Sequence, residues 1–177
     1  MVKHAMPEID ERRPSFEWRL SDEGRAAAAV LAGKLDHLGL AHIVASTEPK
    51  AEETALIMGR VLGLDCDLDP GLVEHRREKV GFLPRDAFED RVRDFFERPG
   101  ERVFGEESAD EAHDRFAAAL ERQRRAAGAL LAVCHGTVIT LWVTRRHRLE
   151  PMAFWRRLTL PSAVVIDAGA DPRLVTL

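Results

Sequence analysis

Two short apolar runs, each closed by a histidine, stand far apart in this chain: Val2-Lys3-His4-Ala5 near the start and Ala129-Leu130-Leu131-Ala132-Val133-Cys134-His135-Gly136 downstream. Runs of this length predict buried strands rather than helices. Between them the pattern alternates with longer segments of helical period. Ser21 is a good N-cap, Asp22 and Glu23 put negative charge in a first turn, and Val30, Leu31, Leu35 and Leu38 fall near one face before Gly39. That spacing predicts a core-facing helix. A strand over 41–45, a helix from about Lys50 to Leu62 with Pro49 in its first turn and Gly63 at its end, and a short strand over 65–68 continue the alternation.

The alternation lapses over residues 70–107. Residues 72–78 are densely charged, Gly81 and Pro84 break the pattern, and Phe88, Val92, Phe95 and Phe96 predict one short amphipathic helix closed by Pro99-Gly100. An irregular excursion of this length is more often a lid or a substrate-binding segment than an accident. Ser108 then caps a helix predicted to run to about Ala127, with Ala112, Phe116, Ala119 and Leu120 at helical spacing. After the strand that ends at His135 come helices over 137–143 and 151–158, a strand over 163–166 and an edge strand over 173–177. Strands alternating with amphipathic helices predict an α/β fold, a three-layer α/β/α sandwich with a mostly parallel central sheet, in a single domain spanning 1–177. Ligands of such sheets bind off the carboxyl ends of the strands, which is where His4 and His135 fall. The two histidines are therefore predicted to share one pocket.

Composition narrows the function classes. With 177 residues and a net charge of −4, the chain can bury a sizeable core and has no general nucleic-acid surface. No window is long and apolar enough for a bilayer, and Glu8 to Arg13 interrupt any signal-peptide core. If His4 is functional, the first strand begins at Met1 and leaves no room for a cleaved leader. The two cysteines, Cys66 and Cys134, predict reduced, buried thiols and a cytoplasmic protein rather than a disulfide framework. Cys134 precedes His135 in its strand, so it faces the opposite side of the sheet as core. His42, His75, His113 and His147 are expected at the surface or at caps, with His75 of interest beside Glu74. A zinc site from His4, His135 and His75 lacks any short-spaced ligand pair.

Four segments carry a resemblance. Lys3-His4-Ala5 resembles the Arg-His-Gly signature of the histidine phosphatase superfamily, the phosphoglycerate mutase-like proteins. Residues 46–55 resemble its Ser-Ser-Pro…Arg…Thr-Ala segment, with Lys50 where the arginine stands. Leu72-Val73-Glu74 resembles the segment that supplies the proton donor, and Val133-Cys134-His135-Gly136 the second histidine motif. The four arrive in the family's order across nearly the whole chain. The resemblance implies a metal-independent phosphomonoester hydrolase that needs no cofactor and works on a phosphorylated small molecule. His4 would be the nucleophile, His135 a donor to a phosphoryl oxygen, and Glu74 the acid and later the base, with Glu78 its rival in register. Lys3, Lys50 and Gly136 would bind phosphate, and Glu74 would need a raised pKa to donate a proton.

Both expected arginines are lysines, which lack the planar fork that grips two phosphate oxygens at once. Arg12, Arg13, Arg76 or Arg77 is expected to supply the missing guanidinium contacts. Ala5 in place of glycine matters only where positive φ or a close backbone approach is required. Other readings stay open: a phospholigand-binding protein that has lost the chemistry, a mutase, or a phosphoprotein (phosphohistidine) phosphatase. Neither a nucleic-acid nor a membrane partner is expected, and a homodimer is among the options for assembly.

Overall fold

The computed structural model describes residues 1–124 and 128–177. Among these residues six strands form one sheet: β1 (Val2–Lys3), β2 (Leu40–Ala45), β3 (Cys66–Leu68), β4 (Ala129–Cys134), β5 (Ser162–Val165) and β6 (Arg173–Val175), in the order β3-β2-β4-β1-β5-β6. The first four are mutually parallel; at one edge β5 pairs antiparallel with β1, and β6 antiparallel with β5. The six α-helices among the described residues are α1 (Asp22–Leu35), α2 (Pro49–Leu62), α3 (Arg85–Glu97), α4 (Ala109–Gln123), α5 (Gly136–His147) and α6 (Pro151–Arg157).

The sheet's period of two sorts its side chains between two helical layers. Ile43 and Ala45 of β2, Leu131 and Val133 of β4, and Ala163 of β5 pack with Leu31, Leu35 and Met58 of α1 and α2. The alternate residues Val44, Ala132, Cys134 and Val164 pack with Phe116, Ile139 and Phe154 of α4, α5 and α6. This is the predicted three-layer α/β/α sandwich. Helix α5 is buried at every position from Gly136 to Thr144. Its threonines Thr140 and Thr144 satisfy themselves on the carbonyls of Gly136 and Thr140, each at 2.8 Å.

Local chemistry accounts for the helix ends. The Ser21 hydroxyl accepts the Gly24 amide at 3.0 Å, Pro49 opens α2, and Ser108 with Glu111 forms a reciprocal capping box on α4. Gly39 and Gly63 stop their helices in the left-handed conformation, with φ of 59° and 67°. Helix α1 ends at Leu35 and a 3-10 turn continues to Leu38; its buried face runs through Ala28, Leu31, Ala32 and Leu35, so Val30 is 56% exposed rather than on the core face. The predicted end of α4 at Ala127 lies outside the described residues. Cys66 is half-buried and Cys134 fully buried. Among the described residues no helix is long and apolar enough to cross a membrane.

Gly24 is a position where the fold requires glycine. A Cβ there would lie 2.1 Å from the Met6 carbonyl oxygen, which also accepts the Ser21 amide and hydroxyl. Gly24→Ala is therefore expected to lower unfolding stability by about 2 kcal/mol in a denaturant titration. An ordinary helical glycine would instead gain up to about 1 kcal/mol from the same change, so the sign decides between the two.

Candidate active site

Three adjacent strands end at one level. Lys3 is in register with Cys134 and Ala45 with Val133, so the residues that follow, His4, His135 and Ser46, emerge side by side at the carboxyl edge. The His4 amide donates to the Cys134 carbonyl at 3.0 Å and the Ser46 amide to the Val133 carbonyl at 2.9 Å, which extends the ladder to these positions. The imidazoles of His4 and His135 lie with ring centroids 5.1 Å apart. Remote in the chain, they are brought together by the β1–β4 pairing.

The His4 Nδ1 lies 2.8 Å from the Ala5 carbonyl oxygen. A carbonyl only accepts, so Nδ1 carries the proton and Nε2 keeps its lone pair. Burial pushes the His4 pKa well down, and the neighbouring His135 and Lys50 push the same way, which keeps the ring neutral. His135, 1% exposed, is likewise held far below its ordinary value by burial and then by Lys50. Its Nε2 is 2.8 Å from the Ser46 hydroxyl and 3.4 Å from Glu48 Oε1, and its Nδ1 has no partner among the described residues. Ala5 is buried without positive φ, and its amide donates to the Thr54 hydroxyl at 3.0 Å. Thr54 in turn donates to the Lys50 carbonyl, tying α2 to the end of β1. The glycine expected at position 5 is not required by this backbone.

Glu48 joins the predicted groups into one network. Its Oε2 accepts Lys50 Nζ at 2.5 Å, and its Oε1 accepts the Glu74 amide at 2.8 Å. Lys50 also donates to the Ser15 carbonyl at 2.6 Å. Burial pulls the Lys50 pKa down against the upward pull of Glu48. The anionic neighbour that a lysine at a helix start calls for is thus Glu48. Glu74 sits with one oxygen on the Thr137 amide at 3.1 Å and the other on the amides of His75 and Val138, at 2.9 and 3.3 Å. It therefore caps the N-terminus of α5. Burial raises its pKa, but the Arg77 charge and these amides outweigh burial and hold the carboxyl below its ordinary value. That corrects the expectation of a raised Glu74 in the resting site.

The rest of the predicted set falls as follows. Glu78, the rival acid, is exposed at the rim, its amide held by Glu106. Lys3 lies against Gly136, where a Cβ would be 3.2 Å from its Cε, and its ammonium donates to the Leu158 carbonyl at 2.8 Å. Burial pushes its pKa down to about 8, against Glu74. Arg12 is spent on Asp10 in solvent, whereas Arg13, Arg76 and Arg77 line a cleft of about 620 Å³ that also exposes Glu48 and Glu74. Nothing in the sequence singles out Arg115. It pairs with Glu107 and donates to the carbonyls of Gly71, Val73 and Glu74, fixing the loop that carries the acid. Ser46 and Glu48 are legible only as members of the 46–55 segment, because nothing local marks a helix-opening carboxylate as buried.

His75 is 2% exposed, not at the surface, and stacks on Phe95 and Phe104 at centroid distances of 4.3 and 5.0 Å. Burial, then Arg77, pushes its pKa down to about 4. The unfolded chain takes up this proton near pH 6.5 and the native chain does not until near 4. Stability therefore rises with pH through that window, is fully present above it, and falls by about 3 kcal/mol on acidification across it. Denaturant titrations from about pH 4 to about pH 7 are expected to show that slope, shallower in His75→Phe.

A family model for the histidine phosphatase superfamily (branch 1) matches residues 4–173. Among solved structures, the mycobacterial glucosyl-3-phosphoglycerate phosphatase is similar at 19% identity, TM-score 0.74, with 99% of this chain and 95% of that one covered. A phosphoserine phosphatase variant from Entamoeba histolytica, solved with phosphoserine, is similar at 15% identity, TM-score 0.68, with 99% and 93% covered. No curated protein sequence matches the chain.

Proposed function

Because this chain belongs to branch 1 of the histidine phosphatase superfamily, we propose that it is a metal-independent phosphomonoester hydrolase acting through a phosphohistidine at His4. The observation that carries this reading is the His4 tautomer: the proton is pinned at Nδ1 by the Ala5 carbonyl, and the Nε2 lone pair is free. Nε2 attacks phosphorus in line, an N–P bond forms and the ester P–O bond breaks. The leaving alkoxide takes a proton from Glu74. Water then gives its proton to Glu74 and attacks phosphorus, releasing inorganic phosphate and neutral His4. His135 donates to a nonbridging oxygen, and Lys50, Lys3 and the α5 N-terminus at Gly136 neutralise the developing charge.

Glu74 begins ionised and must be protonated to act first as an acid. Arrival of a phosphate dianion places like charge beside it and raises its pKa, so the substrate itself arms the acid. The phosphatases among the structural relatives support hydrolysis over phosphoryl transfer between hydroxyls. The test is turnover of an aryl phosphate with a chelator present, together with rapid acid-free quenching to trap phosphate on the protein. Chelator-resistant turnover with an acid-labile, base-stable phosphoprotein is the expected result; turnover without such an adduct overturns the mechanism.

One observation favours a second reading, a phospholigand binder without chemistry. Glu48 already holds Lys50 and lies 3.4 Å from His135, so a carboxylate fills the seat of a phosphoryl oxygen. In the hydrolase reading Glu48 is a competitor that swings aside. Glu48→Gln removes a negative charge from that seat, and inhibition by inorganic phosphate is expected to tighten roughly tenfold. Unchanged inhibition would mean that phosphate binds clear of Glu48.

A further inference from the structure

Glu74 is met by ionisable groups from several elements. Lys3 and His135 approach from the ends of β1 and β4, Lys50 from α2, and Cys134 from within β4. Glu48, in the turn before α2, accepts its amide, and Arg115 of α4 donates to its carbonyl. These groups are already committed or uncharged. Lys50 is paired with Glu48, and Arg115 with Glu107. Lys3 donates to the Leu158 carbonyl, while burial keeps the His135 imidazole neutral and pushes the Cys134 thiol up to about 12. Arg77 is the exception.

Its guanidinium is held by uncharged groups. It stands 5.0 Å over the Phe88 ring and 5.6 Å over Phe104, and Nη1 donates to His75 Nδ1 at 3.0 Å. His75 can accept there because its Nε2–H is committed to the Phe104 carbonyl at 2.5 Å and burial keeps the ring neutral. The amide of the same residue donates to Glu74 Oε1 at 2.9 Å. His75 therefore grips the carboxylate with its backbone and the guanidinium with its ring, and both charges face one cleft. Because the groups that hold the guanidinium carry no charge, its field acts on Glu74 in surroundings that screen little. Burial raises Glu74, and Arg77 heads the charges that bring it down. Phe88 lies in α3, so the irregular excursion reaches the acid through this one side chain.

We propose that Arg77, fixed by His75 and by the aromatic shelf of Phe88 and Phe104, is a positioning residue that keeps Glu74 ionised in the empty site and makes the acid step wait for a phosphate dianion. The dianion offsets the field of the guanidinium at the carboxyl, and Glu74 then takes up its proton. This rests on the proposed role of Glu74 in hydrolysis and adds the regulation of that role. Arg77 acts through Glu74 and needs no contact with the reacting atoms. A guanidinium that merely packed on the phenylalanines would leave the charge state of Glu74 unaffected.

The test follows Glu74 directly, by carbon NMR of the side-chain carboxyls in the full-length protein, with Glu74→Gln identifying its resonance. Wild type, Arg77→Gln, Arg77→Lys and His75→Phe are titrated with no ligand present. In Arg77→Gln, whose carboxamide can still donate to His75, the midpoint is expected to move upward, raising the protonated fraction at a given pH roughly tenfold or more. Arg77→Lys keeps the charge and is expected to recover most of the wild-type titration. His75→Phe keeps the stacking but loses the acceptor, and is expected to move the midpoint the same way by less. Saturating wild type with inorganic phosphate should move it upward too. An unchanged midpoint in folded Arg77→Gln, equal shifts in the Gln and Lys variants, or a carboxyl that stays ionised beside bound phosphate overturns the proposal. The alkaline limb of kcat/KM for an alkyl phosphate should follow the midpoint from wild type to Arg77→Gln, and a limb that ignores it overturns the proposal as well. The NMR shifts with no turnover in wild type would sink the hydrolase reading and leave the hold of Arg77 on Glu74 standing.

Discussion

Loss of the His4 imidazole is expected to reduce phosphomonoester turnover by at least roughly a thousandfold, with the fold intact. The ring is 7% exposed, and its hydrogen bond to Ala5 and its contact with His135 are local, so alanine leaves a small cavity beneath the cleft rather than an unpaired charge. Aryl phosphate turnover and the yield of trapped phosphoprotein are measured together on wild type and His4→Ala. Both should disappear. Turnover that persists in the variant would assign nucleophilic attack to water or to another side chain, and would leave the pinned tautomer without a catalytic purpose.

Glu74→Gln is the second large effect, and its signature is dependence on the leaving group. A general acid matters in proportion to the basicity of the oxygen it protonates. Turnover of an alkyl phosphate should fall by roughly a hundredfold to ten-thousandfold, and that of a nitrophenyl phosphate far less in the first step. The carboxamide oxygen of the variant can still accept from the amides of His75 and Val138, whereas its NH2 cannot replace the oxygen that accepts from Thr137, so part of the cap on α5 is kept. Equal losses for both substrates would remove Glu74 from the acid role and point to disturbance of the α5 N-terminus instead. The pH profile is a second readout. With the His4 ring held neutral by its lowered pKa, wild-type activity should be lost on the acid side only well below neutrality, where Nε2 takes up a proton, and should fall on the alkaline side as the acid Glu74 ionises.

Much of this site is legible in the sequence. Strand runs ending in His4 and His135, the capped helices, and the 46–55 segment with Lys50 and Thr54 are patterns of neighbours, and each segment adopts in the fold the element its own period predicts. The failures share one cause. Val30 matches a helical face but α1 turns it to solvent, and His75 sits in a densely charged stretch yet is buried by Phe95 and Phe104. Both depend on what packs over the element, which periodicity alone does not contain.

The sequence by itself determined the alternation of strands and helices, the alternating faces of β2 and β4, and the kinds of group available for chemistry, because these follow from propensity, capping and side-chain period within a few residues. Only the tertiary structure decided which groups work together. Register between β1 and β4 set His4 beside His135, the Arg115 clamp placed Glu74 rather than Glu78 on α5, and the turn before α2 folded Glu48 onto Lys50. The same packing set Arg77 on the cleft wall near enough to Glu74 for its charge to hold that carboxyl down. Charges are written in the chain, but burial and distance, which set their pairing and their pKa values, exist only once remote segments meet.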